Sequence, residues 1–89
     1  PIQIPVAELQ KFTGRYMEGQ QVLNIFLTGD QLFAKLGANP PFEIYPKDKF
    51  SFLGKKVNAQ LSFKADEAGM IKRLDVEVRD IIHHFSKMQ

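Results

Sequence analysis

KLGANPPFEIYPKDKFSFLGKK, residues 35–56, sets Phe42, Ile44, Tyr45, Phe50, Phe52 and Leu53 between two groups of turn-forming residues. Pro41 and Pro46 bracket a strand of four residues, because a proline nitrogen has no hydrogen to give to a β-ladder. Alternation then points Phe42 and Ile44 to one face. Phe50 and Phe52 share that face across the PKDK turn, and Tyr45 falls on the wetter one. The stretch reads as a β-hairpin with an aromatic inner surface.

Outward from this hairpin the period of two continues. QVLNIFLTGDQLFAKLG forms a hairpin about TGD; Leu23, Ile25 and Leu27 share one face, and Leu32, Ala34 and Leu36 do so across the turn. In KVNAQLSFKADEAG, Val57, Ala59, Leu61 and Phe63 alternate with Asn58, Gln60, Ser62 and Lys64, and DEAG turns the chain. MIKRLDVEV follows with Leu74, Val76 and Val78, and DIIHHFSKM closes the run. RYMEG, ahead of all these, is a short strand that turns at Gly19. Only PVAELQKFTG reads as helix, over residues 6–12. Pro5 suits its start, Glu8 its first turn, Lys11 its end and Gly14 its stop. Two turns are marginal alone in water, so Leu9 has to pack against the sheet.

No segment between strands is long enough for a crossover helix, so neighbours are antiparallel. The spacing therefore predicts an all-β fold: a strongly curved antiparallel meander of about eight short strands with one short N-terminal helix. We expect it to form an incomplete barrel. Eighty-nine residues make a single β-domain over 1–89, whole or as the C-terminal part of a longer chain.

Chemistry is sparse. The chain has no cysteine, hence no disulfide and no thiolate ligand. His83 and His84 are adjacent, which sends them to opposite faces of a strand and prevents a joint grip on a metal. Asp66, Glu67 and Asp75 lack the ligand spacing of a calcium loop. Ser51, Ser62 and Ser86 lie in no nucleophile motif, and nothing sets Glu43 and Asp48 apart as acid and base. These features predict no enzyme, no cofactor and no metal site. A net charge of +2, with Lys47 and Lys49 at one end of the aromatic hairpin and Lys55 and Lys56 at the other, gives no basic groove for nucleic acid. No run approaches the roughly 20 apolar residues of a transmembrane helix. Eight phenylalanines leave one binding reading open, an apolar ligand held on the concave face by Phe42, Phe50, Phe52 and Phe63.

LQKFTGRY, LFAKLGANPPFEIYPKDKFSFLGKKVNAQLSF and ADEAGMIKRLDV together resemble the small β-rich domain commonly found C-terminal to bacterial serine β-lactamase-like hydrolases. The matching positions are Gly14 and Tyr16, Leu32 to Ala34, Pro41 to Pro46, Phe50 and Phe52, Val57, Ala59 and Phe63, and Gly69. The last ten residues depart from that pattern. The resemblance implies a lipocalin-like barrel shape and a non-catalytic accessory domain that makes protein–protein contacts, with a linked or separate hydrolase domain or with another copy of itself. It also implies a periplasmic or secreted setting, while the residues alone leave a cytoplasmic one open.

Overall fold

The computed structural model describes residues 2–88. A single helical turn, α1 (Val6–Leu9), runs into a 3-10 turn at Gln10–Phe12. Eight strands follow: β1 (Gly14–Glu18), β2 (Gln21–Thr28), β3 (Gln31–Leu36), β4 (Phe42–Pro46), β5 (Ser51–Gly54), β6 (Ala59–Ala65), β7 (Ile71–Val78) and β8 (Ile81–Lys87). Each pairs antiparallel with the next, and β8 returns to β1.

That last pairing corrects the expected architecture. The sheet is a fully closed barrel, not an incomplete meander. Tyr16 stands opposite Lys87 and Met17 opposite Ser86, and the Met88 amide donates to the Arg15 carbonyl at 2.7 Å. The physical reason lies in curvature. Three hairpins turn within two residues, at Gly19–Gln20, Gly29–Asp30 and Arg79–Asp80. At the Lys64/Ala65 step β6 and β7 slip by one residue, and such bulges bend and twist a strand. Together they roll the sheet until its two edges meet, which removes both edges from water.

The interior is built by alternation. Leu23 and Ile25, Leu32 and Ala34, Ala59, Leu61 and Phe63, and Leu74 and Val76 are buried, while their neighbours along each strand are less so. The helical segment closes one end. Leu9 and Phe12 are buried there, three residues apart, so the 3-10 extension keeps both on the same side. Tyr16 is fully buried and its hydroxyl donates to the Phe12 carbonyl at 2.7 Å, tying barrel wall to plug. Desolvation by burial pushes the Tyr16 phenol well above its usual range, so it remains a donor.

Turn side chains fix the strand ends. Asp48 Oδ1 accepts from the amides of Phe50 and Ser51, and Asp66 Oδ1 accepts from those of Ala68 and Met70. Gly54 has a separate role. A Cβ there would collide with the Val57 carbonyl oxygen, so only glycine lets the 55–58 loop fold back over β4.

Candidate functional site

The four phenylalanines expected to share a concave pocket separate into three environments. Phe52 and Phe63 are in the core, with ring centroids 5.5 Å apart and planes nearly perpendicular. Phe12 stands against both, at 5.3 Å from Phe52 and 4.6 Å from Phe63. This cluster, two pairs edge-to-face and the Phe12–Phe63 pair tilted, occupies the concave face, and its rings are each other's contacts.

Phe50 does not follow Phe52. It lies in the β4–β5 turn rather than on a strand, so strand parity no longer governs it. Its ring meets Phe12 edge-on at 6.0 Å, and the Lys11 ammonium sits 4.8 Å from its centroid, leaving it 39% exposed. The expected inward direction of Phe50 is therefore corrected to a seat on the outside of the plug.

Phe42 is inward by register, opposite Ala34, but it stands at the other end of the barrel. Strand directions alternate, so the β3–β4 and β5–β6 loops lie at the end away from α1. Phe42 there joins Phe33, Leu36, Pro40, Pro41 and Val57 in an open groove of about 630 Å³, whose remaining lining is Asn39, Glu43, Lys55 and Lys56. The Lys55 ammonium pairs with Glu43 at 3.3 Å, and the Lys55 amide donates to the Glu43 carbonyl at 2.9 Å. Those two bonds strap the loop to β4 and fix one wall. Phe33 continues outside the barrel as a stacked pair with Phe26 across β2 and β3, centroids 5.5 Å apart. Tyr45 is on the outer face as expected, 45% exposed and opposite Leu53.

The histidines engage carboxylates. His83 Nδ1 lies 2.9 Å from Glu18 Oε1, and His84 Nδ1 lies 2.8 Å from Asp75 Oδ1. The second oxygen of Glu18 accepts from the His84 amide at 3.0 Å. Arg73 Nε reaches the same Asp75 oxygen at 3.1 Å. Among the described residues, no three His, Asp or Glu side chains gather as a metal site requires. Glu18 drew no attention in the sequence, while Phe12 was read there only as part of the helix's apolar stripe. Phe12 was legible as the third member of the stripe from Val6 and Leu9, whereas the meeting of Glu18 with His83 depends on barrel closure.

No helix among the described residues is long and apolar enough to cross a membrane. The architecture is that of a small all-β, lipocalin-like closed barrel whose inward side chains fill it. No family model and no curated protein matches the chain.

Proposed function

We propose that this chain is a non-catalytic accessory domain that acts through its outer surface, by contact with another protein domain of the serine hydrolase type. The observation that carries the reading is where the apolar side chains go. Phe12, Phe52 and Phe63 occupy the concave face against one another, while Ile81 and Ile82 stand 59% and 53% exposed at the start of β8. Two adjacent isoleucines in a strand face opposite ways, so one lies on the barrel's flank and the other at its rim. Ile82 is opposite Glu77, giving an apolar centre beside a charged neighbour, the usual anatomy of a protein contact. The family resemblance supplies the hydrolase as partner. A second copy of the chain is the other occupant such a surface admits.

The gene on either side of this segment identifies the partner to be tested. The hydrolase domain so found is titrated with this domain, and the complex is repeated with Ile81→Glu and Ile82→Glu. We expect a complex that either charge weakens at least tenfold, about 1.4 kcal/mol, with folding unchanged. No hydrolase encoded nearby, or a hydrolase that does not bind, would refute the reading. Concentration-dependent dimers broken by the same two changes would replace it with self-association.

A further inference from the structure

The groove at the barrel end away from α1 combines a mainly apolar lining with a cation that has no ion pair among the described residues. Phe33, Leu36, Pro40, Pro41, Phe42 and Val57 supply the floor and walls. Neither proline offers an amide donor, so this part of the lining has few groups for a peptide backbone to bond. The polar lining is confined to Asn39, Glu43, Lys55 and Lys56. Glu43 is engaged by Lys55 at 3.3 Å, which leaves Lys56 without an ion pair among the described residues. A volume of about 630 Å³ lies within the range of sites that hold one small molecule.

We infer that this groove binds a monomeric long-chain carboxylate, its aliphatic chain along Phe33, Leu36, Phe42 and Val57 and its head group at Lys56. Charge complementarity sets the polarity of the ligand. The lining holds two ammonium groups and one carboxylate, so one negative charge is accommodated beside Lys56 while a cationic head would be repelled. An uncharged, unbranched tail has no hydrogen-bonding groups to satisfy, which matches walls of phenylalanine, leucine and proline. The concave face, where the sequence placed the ligand, takes no part in this site. The site is also independent of any docked hydrolase, because Ile81 and Ile82 do not line it.

Dodecanoate below its micelle concentration is the probe, with dodecyltrimethylammonium as the control of equal chain length. Titration is followed by calorimetry and by amide chemical shifts on the whole chain. We expect saturable one-to-one binding of dodecanoate, shifts centred on Leu36, Phe42 and Val57, and at least tenfold weaker binding of the ammonium compound. Lys56→Glu, at an exposed position, should weaken dodecanoate about tenfold and leave the melting temperature unchanged. Val57→Asp should abolish binding, and if it fails to fold, Lys56→Glu decides the matter. Equal affinity for both head groups, shifts centred elsewhere, or no saturable binding would overturn the site. Binding to vesicles of anionic phospholipid with no uptake of free dodecanoate would also overturn it, in favour of a membrane surface.

Discussion

The Glu18 carboxylate receives His83 Nδ1–H at 2.9 Å, one residue beyond the last β1–β8 backbone pair on that strand. Its other oxygen takes the His84 amide, so a side chain continues the ladder where the backbone stops. Among the described residues the seam that closes the barrel has two paired positions and the Met88–Arg15 backbone bond, so this bridge lengthens a short contact.

Acid should loosen that seam. The Glu18 carboxyl is held below its usual range, chiefly by the hydrogen bond from His83, against a smaller opposing effect of desolvation and with further help from the His84 amide. A carboxylate whose folded value is depressed adds stability above its unfolded value, near pH 4.3. That stability disappears as pH falls through the lower, folded value. We expect Glu18→Gln to flatten the decline in melting temperature between pH 5 and pH 3. Parallel curves for wild type and variant would show that the bridge is not linked to folding.

The aromatic residues should divide by environment. Phe52→Ala and Phe63→Ala each remove a ring from the buried cluster and should cost about 3 to 5 kcal/mol. Phe50→Ala removes a half-exposed ring and should cost about 1 kcal/mol, with Tyr45→Ala similar. Urea melts of the four variants measure the difference. Equal losses at Phe50 and Phe52 would return Phe50 to the core.

Much of this was visible in the sequence wherever alternation ran unbroken. Ala59, Leu61 and Phe63 are buried as their spacing required, and so are Leu23, Ile25, Leu32 and Ala34. Val57 and Phe50 broke the pattern because each lies just outside a strand, where the period of two no longer sets direction. Val57 is instead part of the loop that folds back over Gly54. Closure was not legible, since it depends on the sum of three tight turns and a one-residue slip between β6 and β7, none of which alone specifies a partner for β8. The candidate groove was hidden for the same reason. Its walls come from Phe33, Pro40, Phe42 and Val57, on different faces and loops. Only Phe42 among them had been considered for binding.

The plug is expected to be energetically necessary. Leu9→Ala opens space beneath the helical turn and should cost about 2 to 4 kcal/mol. Tyr16→Phe leaves the Phe12 carbonyl without its partner and should cost about 1 to 2 kcal/mol. Denaturant midpoints with unchanged slopes would confirm both. A loss below about 0.5 kcal/mol for Leu9→Ala would mean that the strands cover themselves.

The β7–β8 turn stores strain. Arg79 and Asp80 have φ of 53° and 66°, a left-handed pair that arginine and aspartate adopt less readily than asparagine and glycine. Arg79→Asn combined with Asp80→Gly should raise stability by about 1 kcal/mol. A lower urea midpoint in the double variant would show that the two side chains contribute something beyond turn geometry.

Whether the barrel interior is closed to ligands is tested most directly with a small aromatic anionic dye, 1-anilinonaphthalene-8-sulfonate, titrated while amide chemical shifts are recorded. We expect any shifts to fall on outer and rim positions such as Phe33, Leu36, Val57 and Ile82, with Tyr16, Phe52, Leu61, Phe63 and Leu74 unmoved. Saturable shifts concentrated on those five interior residues would mean that the barrel opens to take a ligand, and would contradict a domain that recognises its partners from the outside.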